Sequence, residues 1–250
     1  MPHLKQRHPY GWRCFIWSDP KEVRVTVTCQ PSYAIAYLAL AADEEVYIER
    51  ESMASCSDGV SLSAGFGGDG IGKALVRKYL GREPMIFSRV HAAIESAWAA
   101  VAPAYPGDIE VIELGPNESL LTKDGSLLAY SRGISTGVAF SGLRTTVMHE
   151  GMTMLTLEGP GTVVLSAYGA VENFDLEPGQ SLVVDTGHIV AFGTSVTYDV
   201  GPLGSITRSV ATGEGMVARF TGPGRVITQS RAEQNLREWL IPTTTQNTGR

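Results

Sequence analysis

The fold of this chain can be predicted from residues 176–196, LEPGQSLVVDTGHIVAFGTSV. It reads as a strand, a turn at Gly187 and a second strand, because two apolar runs flank a glycine. The same pattern recurs without gaps at residues 114–134, LGPNESLLTKDGSLLAYSRGI, and at residues 40–60, LAADEEVYIERESMASCSDGV. The offsets between copies are 62 (176 − 114) and 74 (114 − 40) residues. Repetition on this scale is typical of tandem modules, so we predict three copies of a small β-module.

The first copy differs from the other two mainly at its turns. Glu51 stands where the other copies have a glycine, and the acidic run at residues 43–45 replaces their Pro-Asn and Pro-Gly pairs. Met53 occupies the position of Leu127 and Ile189, so the pattern is preserved in side-chain volume rather than in identity.

A second repeated element contains the turn sequence Gly-Pro-Gly. Residues 157–165, LEGPGTVVL, match residues 220–228, FTGPGRVIT, at an offset of 63 (222 − 159), and Glu-Gly-Met precedes each copy. Proline presets φ and glycine allows positive φ, so the element predicts a tight turn between two strands. Short strands at regular spacing predict an all-β fold, with three tandem β-modules in a sandwich- or prism-like arrangement.

The chain ends differ from this β pattern. Ser230 to Glu233 follow a capping-box pattern, and Leu236, Trp239 and Leu240 share one helical face, which predicts a short C-terminal helix. Residues 91–102, HAAIESAWAAVA, fit a helix or a strand, and the sequence leaves both open. We expect an N-terminal arm at residues 1–21, a single β domain at residues 22–230, a helix at residues 231–241 and a disordered tail at residues 242–250. The β domain is expected to contain three repeats, at about residues 22–107, 108–157 and 158–230.

Composition argues against a nucleic-acid-binding protein. The 250 residues carry a formal net charge of −6, and the one basic cluster, Lys5, Arg7 and Arg13, lies at the N-terminus. Nucleic-acid binding needs a basic surface, because phosphate contacts dominate the affinity. We therefore expect no nucleic-acid partner.

The cysteines and the apolar segments point to a cytoplasmic protein. Cys14, Cys29 and Cys56 are odd in number and widely spaced, which is typical of free thiols in a reducing compartment. The first residues lack the apolar core of a signal peptide. The longest apolar stretch, residues 33–42, is far shorter than the roughly 18 residues of a membrane span.

Two glycine patterns in the middle of the chain resemble nucleotide-binding motifs. Gly67, Gly72 and Lys73 have the spacing of a P-loop, but Ala74 replaces the hydroxyl residue that holds Mg²⁺. Residues 65–70, GFGGDG, match the dinucleotide fingerprint, which has meaning only between a strand and a full helix. Because the surroundings predict an all-β fold, we interpret both patterns as a glycine-rich turn and expect no cofactor.

A hydrolase-like pattern is also present. Ser135 lies in the motif Gly-x-Ser-x-Gly, and Asp185 and His188 follow it in hydrolase order. The motif needs a helix after the serine, whereas residues 138–140 predict a strand, and Asp185 and His188 flank a repeat turn. His149 with Glu150 is the nearest candidate for a metal site, without a metal-binding spacing. We predict no catalytic, cofactor-binding or metal-ligating residues.

Several motifs together resemble one known family. They are GPGTVVLSAYG, LEPGQSLVVDTGHIVAF, ATGEGMVARFTGPGRVITQSR, AYPGDIEVIEL and SDGVSLSAGFGGDGIGKALVRKYLGREPMIF. In these stretches the chain resembles the altered-inheritance-of-mitochondria family of the type numbered twenty-four, over about residues 22–231. Departures lie in the first third, where residues 42–45 replace the usual Pro-Gly-Glu and Arg82 separates a Gly-Glu pair.

The resemblance implies a fold like that of the tryptophan-RNA-binding attenuation protein, or double-stranded β-helix, with three tandem modules per chain. It also implies that three chains form a ring, and it brings no catalytic residues. We therefore expect a non-enzymatic homotrimeric scaffold or binding protein whose partners are further copies of the chain and other proteins. The alternative is a small-molecule- or metal-binding β protein, or an enzyme of this kind, with a site between modules.

Overall fold

The structure is a computed structural model that describes residues 23–65, 87–138, 154–202 and 216–240. Strands β1 to β7 form the first module, with bounds Arg24–Thr28, Ile35–Leu40, Glu45–Glu49, Met53–Cys56, Val60–Gly65, Phe87–Ala92 and Ala97–Val101. Strands β8 to β13 form the second, with bounds Gly107–Leu114, Ser119–Lys123, Leu127–Ser131, Ser135–Val138, Met154–Glu158 and Gly161–Tyr168. Strands β14 to β19 form the third, with bounds Val171–Leu176, Ser181–Asp185, Ile189–Gly193, Thr197–Pro202, Met216–Thr221 and Gly224–Gln229. Helix α1, Glu233–Leu240, follows.

Each module is a small sandwich of two three-stranded halves with the same strand order. One half has the order β2-β7-β4 in the first module, β8-β13-β10 in the second and β14-β19-β16 in the third. The other half has the orders β5-β6-β3, β11-β12-β9 and β17-β18-β15. Strand β1 is an addition to the first module, at the edge of β2. The prediction of an all-β fold with three tandem modules and a C-terminal helix is confirmed.

Neighbouring modules are joined by strand pairing. Strand β3 pairs antiparallel with β10, and β9 pairs antiparallel with β16, so that two six-stranded sheets each span two modules. When the strands of each module are counted without β1, here and below, the second strand of one module therefore pairs with the third strand of the next module. These two pairings join the first module to the second and the second module to the third.

Three hydrophobic cores lie between successive sheets, and each includes side chains of a neighbouring module, such as Ile109 in the first core and Phe87 in the second. They form because alternate residues of a strand point to the same face. Representative fully buried members are Leu38, Ile48 and Val101 in the first core, Tyr130, Leu157 and Leu165 in the second, and Phe192, Phe220 and Val226 in the third. Residues 91–102, which the sequence left open, lie on strands β6 and β7 and the turn between them. Ala97, Ala99 and Val101 point into the first core, so packing overrides the helix propensity of alanine there.

The offsets of 62 and 74 residues relate structurally equivalent positions. A β-bulge interrupts the third strand of every module at the same place, between Met53 and Ser55, Leu127 and Ala129, and Ile189 and Ala191. The turn after the first strand of each repeat is also closed by equivalent hydrogen bonds. They run from Ala41 N to Glu44 Oε2 (2.7 Å), from Gly115 N to Glu118 Oε2 (2.8 Å) and from Glu177 N to Gln180 Oε1 (3.0 Å). The acidic run of the first copy thus performs the same capping as the other copies.

Glu51 takes a left-handed backbone conformation, with φ of 66°, where its counterpart Gly125 has φ of 83°. The third copy builds this turn differently, because Gly187 lies in a 3-10 turn, Thr186–His188. A side chain in the left-handed region costs about 1–2 kcal/mol, whereas glycine occupies that region without steric cost. The first copy therefore keeps the turn at the expense of local strain.

We expect Glu51→Gly to raise the free energy of unfolding by about 0.5–1 kcal/mol, which is the relieved strain less the added flexibility of the unfolded chain. Urea denaturation measures the effect. Arg50→Gly is the matched control, since Arg50 and Glu51 are both exposed and form one ion pair of 3.2 Å that either change removes. The control should lower the free energy of unfolding by about 0.5–1 kcal/mol. Equal losses in both variants would contradict the assignment of strain to Glu51.

Two expected boundaries differ from the structure. The expected start of the third repeat, near residue 158, falls within the β12–β13 hairpin, and the pairing of β13 with β8 places the boundary after Tyr168. The predicted capping box at Ser230 is wrong, because Ser230 Oγ accepts a hydrogen bond from Ala170 N (2.9 Å) and α1 begins at Glu233. The hydroxyl of Ser230 therefore forms a tertiary hydrogen bond instead of the helix cap that the local pattern predicted.

Candidate functional site

Ser135, the candidate nucleophile, lies within a strand. It opens β11 and pairs with Glu158 of β12. A nucleophile elbow holds its serine on a sharp turn from a strand into a helix. In this chain the residues after Ser135 continue β11 as far as Val138, so the backbone has no elbow geometry at this serine.

Asp185 and His188 both hold the turn between β15 and β16. Asp185 Oδ1 accepts a hydrogen bond from Gly187 N (2.8 Å) and caps the 3-10 turn. The imidazole Nδ1 of His188 donates to the carbonyl oxygen of Gln229 (2.7 Å), whose side chain in turn donates to the carbonyl of Gly187 (3.0 Å). These bonds tie the turn to β19, so both side chains have a structural use.

The glycine patterns at residues 65–74 and the pair His149–Glu150 fall almost wholly outside the described residues; Gly65 ends β5. Among the residues that the structure places, no three His, Cys, Asp or Glu side chains converge as a metal site would require. His91 Nε2 lies 3.7 Å from Asp43 Oδ1. Cys29 and Cys56 are free thiols, the first exposed and the second half-buried, whereas Cys14 is not among the described residues.

The structure reveals a perturbed carboxyl group, Glu49, that the sequence did not indicate. Glu49 ends β3, the strand that joins the first module to the second. Burial first, and then the carboxylate of Asp124, raise the pKa of Glu49 to about 7. Asp124 belongs to the second module, and only the pairing of β3 with β10 brings the two groups together. The proximity of Glu49 and Asp124 could therefore not be predicted from a local pattern in the sequence.

The stability of the protein should depend on the protonation of Glu49. Its pKa of about 7 in the folded chain exceeds the ordinary value of 4.5, so the folded state binds the proton more tightly than the unfolded state. Stability should therefore fall as the pH rises from about 4.5 to about 7, and level off above that range. We expect Glu49→Gln to remove about 1–2 kcal/mol of this loss, a figure reduced for the solvent that reaches this half-buried group.

Urea denaturation at pH 5 and pH 8 measures this dependence. Glu172→Gln serves as the control, because Glu172 also lies on a strand, β14, and is exposed. A pH dependence that is identical in the wild type and in Glu49→Gln would refute the role of Glu49.

Two strand edges at opposite ends of the series are the second feature of interest. Strand β4 pairs with β7 alone and β15 pairs with β18 alone among the strands of the described ranges. Their equivalents in the other modules each have one more partner, the strand of the adjacent module. Val183, in the middle of β15, is 39% exposed. Open edges with an apolar side chain are places where a further strand can add.

Comparison with known proteins supports the family suggested by the sequence motifs. A sequence model of the family described as mitochondrial biogenesis AIM24 matches residues 25–231. An uncharacterized protein of Streptococcus pyogenes serotype M6 is 26% identical over 215 residues, which cover 83% of this chain and 86% of that protein. The crystal structure of a Streptococcus pyogenes protein matches with a TM-score of 0.71 at 24% identity, covering 88% of this chain and 99% of that one. At this identity the structural likeness establishes the fold.

Proposed function

This chain belongs to the AIM24 family, and from that premise we propose that it is a non-enzymatic oligomeric scaffold or binding protein that acts as a homotrimer. The observation that carries the proposal is the pair of open edges on β4 and β15, at the two positions where modules elsewhere in the chain join. Symmetric assembly is the common way to satisfy such edges. The number of chains in the proposal, three, is taken from the ring that the family resemblance implies.

We propose a non-enzymatic protein because the three residues of the hydrolase-like pattern have structural roles. Ser135 is part of a strand, and Asp185 and His188 hold a turn. Fold alone does not assign chemistry, so these local roles support a scaffold over a hydrolase. The partners of such a scaffold would be other copies of the chain and other proteins.

The charge and the thiols support the remaining parts of the proposal. A net charge of −6 favours protein partners over nucleic acid, because a nucleic-acid surface needs basic residues. The free thiols of Cys29 and Cys56 suit a reducing compartment, which supports a cytoplasmic location. Along the described parts of the chain, no helix is both long and apolar enough to traverse a bilayer.

Light scattering coupled to size-exclusion chromatography tests the proposed assembly at micromolar protein concentration. The chain mass of 26.8 kDa predicts about 80 kDa for a homotrimer (3 × 26.8). A mass near 27 kDa at every concentration would overturn the oligomeric scaffold. An affinity capture from the native host, with the purified oligomer as bait, then tests for protein partners.

The alternative function, a small-molecule- or metal-binding protein with a site between modules, has one supporting observation. Glu49 lies at the joint of the first two modules with a pKa raised to about 7, and perturbed carboxyl groups cluster at functional sites. Elemental analysis of the purified protein tests the metal form of this alternative. A stoichiometric metal that is lost in Glu49→Gln would favour it over the scaffold.

A further inference from the structure

The joints inside the chain define a rule for how one module attaches to the next. In the first joint, Tyr47 of β3 lies directly opposite Tyr130 of β10. In the second joint, Leu121 of β9 lies directly opposite Phe192 of β16. The two pairs are equivalent under the repeat, because 47 + 74 = 121 and 130 + 62 = 192. The same register is thus used twice.

The two open edges carry the positions that a third such joint would need. Applying the offsets once more makes Val183 of β15 the counterpart of Leu121 (121 + 62 = 183). It makes Cys56 of β4 the counterpart of Tyr130 (130 − 74 = 56). A joint between β15 and β4 in the same register therefore places Val183 directly opposite Cys56.

The burial of these residues follows the same rule. Tyr47 and Leu121 do not face the core of their own module: Tyr47 packs on the second core and Leu121 on the third, each in the module that follows. Val183 has the same position in the last module, and among the described residues no further core follows that module; Val183 is 39% exposed. Its neighbours Leu182 and Val184 pack on the third core from the other face of β15. Val183 is therefore an apolar side chain placed to pack on one further core, which a second copy of the chain would supply.

The opposite edge offers a matching surface. Tyr130 and Phe192 belong to the core of their own module, and Cys56 likewise packs on the first core. In the first joint the two members of the pair are in direct contact, since the rings of Tyr47 and Tyr130 stack with centroids 5.1 Å apart. A side chain that arrives opposite Cys56 would extend the first core in the same way.

We propose that β15 of one copy pairs antiparallel with β4 of a second copy, with Val183 opposite Cys56. The proposal rests on the oligomeric scaffold proposed above and names its interface. The three-stranded end sheet of one copy and the four-stranded end sheet of the next then merge into a continuous sheet, as the sheet halves do at the two joints inside the chain. The contact is head-to-tail, because it joins different surfaces of the two copies, and repetition of such a contact closes a ring when the rotation permits.

A disulfide trap tests this register. The background carries Cys14→Ser and Cys29→Ser, which leaves Cys56 as the natural thiol, and Val183→Cys adds the second one. Directly opposed residues on antiparallel strands have Cβ atoms about 4.5–5.5 Å apart, close to the geometry that a disulfide accepts. With a mild added oxidant we expect more than about half of the chains to run as covalent dimers and larger species on a non-reducing gel.

Two controls isolate the contact. Adding Cys56→Ser to the same variant should abolish the covalent species. Thr197→Cys, in place of Val183→Cys, puts an exposed thiol on β17, at the other edge of the same end sheet. It should give less than about a tenth of the covalent product, because β17 has no place in the proposed joint.

The outcomes separate this interface from the oligomer itself. A trimer by light scattering without Val183–Cys56 cross-linking would overturn the interface and leave the scaffold standing. A monomer without cross-linking would overturn both. A third outcome is a product with the mass of one chain in which the thiols at positions 56 and 183 are both oxidised. It would show that the two edges meet within one chain, and it would also overturn pairing between copies.

A second variant gives an answer that does not depend on thiol chemistry. Val183→Asp changes an exposed residue, so the fold should persist in circular dichroism. The charge would be buried against the first core of the neighbouring copy, and we expect association at least about tenfold weaker by light scattering over a dilution series. Unchanged association in this variant would contradict the proposed interface.

Discussion

Replacing Phe192 by alanine is expected to lower the free energy of unfolding by about 4 kcal/mol. The ring is 2% exposed and lies in the third core, with ring centroids 4.9 Å from Tyr198 and 5.0 Å from Phe220. Removing it loses the burial of the ring and leaves a cavity that the rigid β-sandwich fills only in part. Phe192 also lies on β16, so the joint with β9 loses a packing partner at the same position.

Urea denaturation followed by tryptophan fluorescence and circular dichroism measures this loss. Tyr33→Ala is the comparison, because Tyr33 is an aromatic side chain that is 73% exposed. It should change the free energy of unfolding by less than about 0.5 kcal/mol. If the two substitutions cost the same, Phe192 is not the anchor of the third core.

Replacing Gly222 by alanine is expected to cost about 3 kcal/mol. A Cβ atom at Gly222 would lie 2.4 Å from the carbonyl oxygen of Glu177 and 2.7 Å from that of Leu176. Both contacts are with the backbone, so no side chain can swing away to relieve them. The equivalent Gly159 meets the same obstacle, with a Cβ atom 2.4 Å from the carbonyl oxygen of Gly115.

Gly201→Ala is the matched control for Gly222→Ala. It also lies in the third module, on β17, and a Cβ atom there would have no neighbour within 4 Å. This control should be neutral within about 0.5 kcal/mol. A thermal scan of both variants compares them, and a large loss in Gly201→Ala would show that glycine itself, rather than the close approach at Gly222, determines stability.

The repeat in the sequence predicted the β-modules because its signal is local. Each copy spans two strands and the turns beside them, and the second strand begins eight residues after the start of the first in all three modules. The apolar positions at Met53, Leu127 and Ile189 therefore align without gaps, and the bulge follows each of them. The glycine-rich turns at Gly159 and Gly222 were predictable for the same reason, since turn chemistry depends on neighbouring residues.

Features that depend on distant contacts were not predictable from the sequence. Ser230 looked like a helix cap, but the backbone amide of Ala170, sixty residues away in sequence, takes its hydroxyl. No motif singles out Glu49, because its raised pKa arises from burial and from Asp124 of another module. The open edges of β4 and β15 became visible only with the full strand order.

The joints between modules also determine how the protein should unfold. The middle module has a neighbour on both sides, whereas each outer module has one, so the chain behaves as a short one-dimensional array with nearest-neighbour coupling. Melting should begin at an outer module and spread inward. A ring would give every module two neighbours and remove these weak ends. The melting temperature of such an assembly would rise with protein concentration, as mass action requires.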